Sequence, residues 1–445
     1  MLSQLDDDVL GTIVQTALDT ALESWPSKAH LFTATALSRV NQRLRAILLG
    51  RGSYWNHILA RSANASARVT AMAKRAKEVP LVIHLGYLTV DEPLASLMRS
   101  LRPKISKLEL VVLQGDLARM ATSQDAPLLD ELRIGGCLPT TLDLVGSHTT
   151  SLFLSNMRIS DRSLERALET ADAIQELSLT NVDLYAEPAP QPPQMSGIAR
   201  RLPLRRLAAF GVSRIRLLND VLVRHCGPLR ANTIELGPRL GPQNSRDLLQ
   251  FLDLPRTPNP TVAITFSHGV ILKFDTDVTR VFSIDPSVLW TRAPLVTAIQ
   301  PVISQVTSLS ISCGSVHVAF EILCASGGEF LRLRQLIIMF GLDSLLPGHS
   351  VLTLAGEDHQ VSLRFHSLEV FTLSPSPSTE RFGVNAWARA CCDLLAVLDP
   401  NEDHLNILQI GRDGDDAELI TQIRHAVFQQ FASKNGRPLS LGSRP

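Results

Sequence analysis

An α/β fold is predicted for this chain of 445 residues, and three observations predict it. Leucine supplies 71 residues while aromatics make up only 5%, a composition suited to stacked, repetitive packing rather than to a ring-filled core. A phrase of the form apolar-x-x-Leu-x-apolar recurs, its central positions 108, 132, 152, 177, 207 and 234 being separated by 24, 20, 25, 30 and 27 residues. The first 60 residues depart from this phrase and place their apolar residues at helical spacing instead. Leucine-rich repeats run about 20–29 residues, so the expected architecture is a short helical unit followed by an irregular leucine-rich-repeat solenoid. A small antiparallel β insertion interrupts it.

The elements follow in order. Leu5, Val9, Leu10, Ile13, Val14, Ala17 and Leu18 form a helical stripe with Asp6, Asp7 and Asp8 at its start, where acids suit the helix dipole. A second helix over 31–49 carries Leu37, Val40, Leu44 and Leu48, with Arg39, Arg43 and Arg45 interleaved. Tyr54-Trp55 and Ile58-Leu59 close the unit at residue 60. So small a helical unit is marginal alone, which implies a partner face. Residues 61–79 read as a basic linker helix with Arg68, Lys74, Arg75 and Lys77.

From 80 to 432 the repeat region is expected. Its clearest phrases are Ile105-x-x-Leu108-x-Leu110, Leu129-x-x-Leu132-x-Ile134, Ile174-x-x-Leu177-x-Leu179 and Leu333-x-x-Leu336-x-Ile338. Each Leu-x-Leu centre is a short strand with alternate side chains pointing into a common interior. Residues 161–170 place Leu164, Ala167 and Leu168 at helical spacing after an N-cap at Ser160 or Asp161, so this connection reads as a returning helix. The alternative is a set of βα units in a doubly wound sheet, against which stands the lack of a Gly-rich phosphate loop after a strand. Strict alternation at Val262/Ile264/Phe266 and Val270/Leu272/Phe274, broken by turn residues, marks the antiparallel insertion. Helices are expected over 384–398 and 417–431, the second capping the final repeat, and 433–445 is a tail.

The N-terminal segments Leu5-Asp-Asp-Asp-Val-Leu-Gly-Thr-Ile-Val14, Ala36-Leu-Ser-Arg-Val-Asn-Gln-Arg-Leu-Arg45 and Tyr54-Trp55-Asn-His-Ile58 together resemble an F-box. They are most similar to the F-box-like motif of the large fungal families in which an irregular leucine-rich region follows. The resemblance implies that these helices dock a Skp-type adaptor, which joins a cullin and a RING subunit into a ubiquitin ligase. The implied adaptor-facing residues are Leu5, Val9, Ile13, Val14, Val40, Leu44, Trp55 and Ile58. Two positions depart from the family pattern: Asp6 stands where proline is usual, and Leu44 where tryptophan is favoured between two basic residues.

Charge and motifs bound the rest. Lys+Arg and Asp+Glu both number 43, so no bulk charge draws the chain to nucleic acid or to an anionic membrane. The acidic start lacks a signal-peptide pattern, and no window reaches the ~20 apolar residues of a membrane span. Six cysteines without a Cys-x-x-Cys pair suit a reduced protein of the cytoplasm or nucleus. Cys313, His317 and Cys324 lack a fourth ligand at zinc-site spacing, and Gly-x-Ser-x-Gly, His-Glu-x-x-His and Walker-type motifs are missing. The expectation is therefore no metal, no cofactor and no catalytic residue.

Residues 196–246 hold ten arginines, of which Arg200, Arg201, Arg205, Arg206, Arg214 and Arg216 are candidate contacts for an acidic or phosphorylated target. Nucleic acid fits that stretch less well because stacking aromatics are scarce there; a solvated face is the plainer alternative. Residues 393–418 gather eight acids against Arg412 alone. The expected function is a substrate-recognition adaptor of a Skp–cullin–F-box ubiquitin ligase, with a Skp-type adaptor and a protein target as partners. The alternatives are a leucine-rich scaffold that engages no ligase, and a nucleic-acid-binding protein using the arginine-rich stretch.

Overall fold

The computed structural model describes residues 5–24, 33–61, 65–89, 91–114, 120, 127–136, 142–187, 202–226, 231–237, 261–266, 269–274, 278–282, 293, 295–297, 299–311, 316–327, 329–340, 364–365, 370–375, 388, 407–410, 418, 421–427 and 429. The chain divides into two compact units, Met1–Arg230 and Ala231–Pro445.

In the first unit, helix α1 (Asp7–Ser24) opens with Asp7 and Asp8 in its first turn, where carboxylates meet the positive end of the dipole. Its inward row is Leu10, Val14 and Leu18, four residues apart and all buried. A helical stretch over 33–37 precedes α2 (Gln42–Gly50), which Asn41 caps by accepting from the Leu44 N–H at 2.8 Å. A 3-10 turn at Gly52–Tyr54 then leads into strand β1 (His57–Arg61). Gly52 is required there: a Cβ would stand 2.2 Å from the Ala76 carbonyl oxygen. Tyr54 and Trp55 are buried at this join. The Tyr54 hydroxyl donates to the Gly11 carbonyl at 3.1 Å, and Trp55 Nε1 donates to the Leu48 carbonyl at 2.7 Å.

Helix α3 (Ala65–Ala76) carries the chain from β1 to β2 (Leu81–Thr89), with Ala65, Val69 and Ala76 buried. The basic segment 61–79 is thus a crossover between two parallel strands. Helix α4 (Glu92–Leu101) leads to β3 (Ile105–Gln114), and Asp91 caps it by accepting from the Leu94 N–H at 2.9 Å. Strands β4 (Glu131–Gly135) and β5 (Ser151–Ser160) follow. Next come α5 (Asp161–Thr170), capped by Ser160, β6 (Glu176–Tyr185), β7 (Arg206–Phe210) and α6 (Ile215–Cys226).

Strands β1 to β7 pair in chain order and every pair is parallel. Register lines up two buried rows across them. Ile58, Ile83, Leu108, Leu132, Leu152, Leu177 and Leu207 form one; Ala60, Leu85, Leu110, Ile134, Leu154, Leu179 and Ala209 form the other. Each large side chain so buried contributes about 1.5–3 kcal/mol, which makes these rows the main stabilising feature of the unit.

The second unit contains β8 (Thr233–Gly237), β9 (Val262–Phe266), β10 (Val270–Phe274), β11 (Thr279–Phe282) and β12 (Val306–Ile311). After α7 (Val316–Ala325) come β13 (Glu329–Phe330), β14 (Gln335–Phe340), β15 (Arg364–Phe365), β16 (Val370–Pro375) and β17 (Ile407–Ile410). The order within this sheet is β8-β11-β10-β9-β12-β14-β16-β17; β13 pairs separately with β15. Among the described residues, only the β9–β10 and β10–β11 pairs are antiparallel. Buried Arg280 in β11 holds the neighbouring backbone, its Nη1 donating to the Ala231 carbonyl at 3.0 Å.

The expected leucine-rich-repeat solenoid is corrected by this topology: the described residues form a mixed α/β fold on mostly parallel sheet. The antiparallel strands are no insertion beside a repeat array, because β11 pairs parallel with β8 and β9 pairs parallel with β12. Strands β3, β5 and β6 run ten residues each, and residues 142–150 between β4 and β5 fold as turns rather than as a returning helix. The physical reason is that Leu-x-Leu alternation marks any strand with one buried face, whatever sheet it joins. Of the expected C-terminal helices, residues 388, 418, 421–427 and 429 are helical, with Ile423 and Val427 buried; the other residues of 384–398 and 417–431 lie outside the described residues.

Candidate functional site

The N-terminal helices divide the residues implied by the F-box resemblance. Val9, Ile13 and Val40 are 47%, 48% and 59% exposed, a high fraction for large apolar side chains on elements that otherwise pack inward. Val9 and Ile13 stand one turn apart and therefore share a face of α1. Arg43 ties the start of α2 to the start of α1, its Nε lying 2.6 Å from Asp7 Oδ1 and its Nη2 donating to the Leu5 carbonyl at 2.5 Å. Val40, three residues before Arg43, lies at that same end. Leu5 is half-buried.

Val14, Leu44, Trp55 and Ile58, the remaining residues implied to dock, lie in the core of the unit. All four are buried, and Ile58 lies in the first strand of the sheet rather than on a helix. The apolar stripe of α1 covers two adjacent i, i+4 rows: Leu10, Val14 and Leu18 face inward, and Val9 and Ile13 face out. Sequence spacing gives both rows but not their direction.

The outward side of the first unit's sheet carries a second array. His84, Glu109, Arg133 and Phe153 stand side by side on β2, β3, β4 and β5. His84 Nδ1 is 2.7 Å from Glu109 Oε2, and the Arg133 guanidinium lies 4.1 Å from the centre of the Phe153 ring. In the next row Lys107 Nζ is 2.9 Å and Arg133 Nε 2.5 Å from the Glu131 carboxylate, and Arg206 is 3.2 Å from Glu176. The His84 hydrogen bond holds the Glu109 carboxyl below its ordinary value against the opposing effect of burial. Burial also pushes Glu131 up, but hydrogen bonds from Lys107 and Arg133 outweigh it and keep that carboxyl low. Beyond Phe153 the floor becomes small and polar at Ser178 and Thr180, and rises again at Phe210. The charged groups of this array pair with one another across neighbouring strands beside a shallow floor.

Among the described residues the arginine candidates lie at two separate places. Arg205 and Arg206 stand at the start of β7, whereas Arg214 and Arg216 lie past its far end, around the start of α6. All four are exposed; Arg200 and Arg201 lie outside the described residues. Cys313 also lies outside them. Burial pushes the Cys324 thiol up to about 11, away from the thiolate form that binds metals. Among the described residues no three His, Cys, Asp or Glu side chains gather as metal donors, and no helix is long and apolar enough to cross a membrane.

No protein-family model matches the sequence, and no curated protein matches it.

Sequence reasoning overlooks two features. The charged ladder is set by strand register, which brings residues 20–30 apart in sequence into contact across strands and leaves no local motif. The other is legible by counting: residues 24–77 contain ten Lys and Arg and no Asp or Glu.

Proposed function

We propose that this protein is a substrate-recognition adaptor of a Skp–cullin–F-box type ubiquitin ligase. It docks a Skp-type adaptor through the outer face of α1 and the turn before α2, and it selects a protein target on the outward side of the parallel sheet. The observation that carries this function is the exposure of Val9, Ile13 and Val40 at one end of the N-terminal helical pair. Covering such side chains with a partner is favourable by roughly 25 cal/mol for each Å² of apolar surface removed from water. Asp6, which stands where the fungal families usually have proline, immediately precedes α1, and its carbonyl accepts from the Leu10 N–H at 3.0 Å. Ubiquitin transfer itself belongs to the recruited subunits.

Purified full-length chain is titrated with a purified Skp-type adaptor. Val9→Glu combined with Ile13→Glu is expected to weaken binding at least about a hundredfold, since buried apolar anchors each carry about 2 kcal/mol or more. The same variant should unfold at the wild-type temperature because both side chains are exposed. A wild-type chain that ignores the adaptor would support the rival in which the protein is an interaction scaffold outside the ligase.

A further inference from the structure

The charge balance of the whole chain conceals a local excess. Ten cations and no carboxylates occupy residues 24–77, in a chain whose formal charge is zero. Acids from α1 neutralise two of them: Arg43 meets Asp7 at 2.6 Å, and Arg51 lies 3.9 Å from Asp8. Among the described residues, Arg45, Arg68 and Lys74 have no ion-pair partner, and all three are exposed.

These cations lie on adjoining elements. Lys77, held at φ 59°, ends α3 and donates from Nζ to the Gly50 carbonyl at the end of α2, at 3.0 Å. Arg75 lies 4.7 Å from the centre of the Trp55 ring, and that ring's Nε1 is bonded to Leu48 of α2. The last turns of α2 and α3 are therefore neighbours. Arg45 and the 40%-exposed Leu49 share a face of α2, while Arg68 and Lys74 project from α3 beside the small exposed residues Ala67, Thr70 and Ala71.

We propose that this surface binds an acidic polypeptide segment, through Arg45, Arg68, Lys74 and Arg75, independently of the adaptor-docking face. Uncompensated guanidinium and ammonium groups are complementary to carboxylates, and arginine forks take them in bidentate fashion. The exposed Leu49 suits a peptide side chain. Single-stranded nucleic acid is less well served because Tyr54 and Trp55 are buried and offer no ring for base stacking. The outward side of α3 presents no large apolar side chain to insert into a bilayer.

The test titrates full-length protein into a labelled poly-glutamate of ~20 residues at about 50 and about 200 mM salt. Arg68→Glu with Lys74→Glu is expected to weaken binding about tenfold at the lower salt, and Arg214→Glu with Arg216→Glu by less than about twofold. Arg68→Gln with Lys74→Gln should fall between wild type and the reversed pair, which keeps the test valid if the reversal disturbs folding. Equal binding by the reversed pair and wild type would overturn the proposal. Tighter binding to a single-stranded RNA of matched charge, or to phosphatidylserine vesicles, would overturn it too.

Discussion

Asn156 and Asn181 hold left-handed backbone angles, φ 50° and 53°, at one register position of β5 and β6, and the same position is Gly136 after β4 and Gly211 after β7. Glycine adopts this conformation freely and asparagine at lower cost than most residues, so the four residues mark a bend that each strand makes at the same level. The Asn181 side chain donates to Asn156 Oδ1 at 3.0 Å, and a Cβ at position 211 would meet Asn181 Oδ1 at 2.4 Å. Asn181→Ala is therefore expected to cost about 1–2 kcal/mol in urea unfolding, and Asn181→Gly less than about 1 kcal/mol. The N-terminal helices give a sharper contrast. Trp55→Ala removes a buried ring and its hydrogen bond and should cost about 3–5 kcal/mol, whereas exposed Ile13→Ala should stay within about 0.5 kcal/mol.

Strands were legible where alternation is strict. Leu108, Leu132, Leu152, Leu177 and Leu207 lie in strands because a period of two fits a sheet with one buried face. What the strands assemble into was not legible, since the same phrase serves a repeat array and a mixed α/β sheet alike. The placement of β9 to β11 within the sheet depends on pairings with β8 and β12 that no local pattern encodes. Which face of the N-terminal helices lies inward was half legible for a related reason. Helical spacing identified the apolar rows of α1 and α2, but the inward direction was set by Tyr54, Trp55 and β1. The ladder on β2 to β5 also gives the sheet a pH dependence. The folded pKa values of Glu109 and Glu131 lie below the ordinary 4.5, so the folded state binds fewer protons there than the unfolded chain. Stability from these carboxylates is complete above the ordinary carboxylate range and is lost as pH falls through their folded values. Glu109→Gln with Glu131→Gln should flatten the acid side of a plot of unfolding midpoint against pH.

At the scale of the molecule, the even balance of 43 basic and 43 acidic residues is a sum of unlike parts. An acid-free stretch at 24–77 and an arginine-rich stretch at 196–246 are offset elsewhere, by the acids of 393–418 among others. The first unit holds the exposed apolar face of α1, the cationic side of α3 and the charged outer face of its sheet. A protein built to join partners needs separable surfaces of this kind, and each is reached by substitutions of exposed residues that leave the buried rows intact. Hydrogen–deuterium exchange of the full-length chain, with and without a Skp-type adaptor, tests the docking function most directly. Added protection over residues 7–20 and 38–41, with β2 to β7 unchanged, is the predicted result. Protection confined to the sheet, or none at a saturating adaptor concentration, would contradict it.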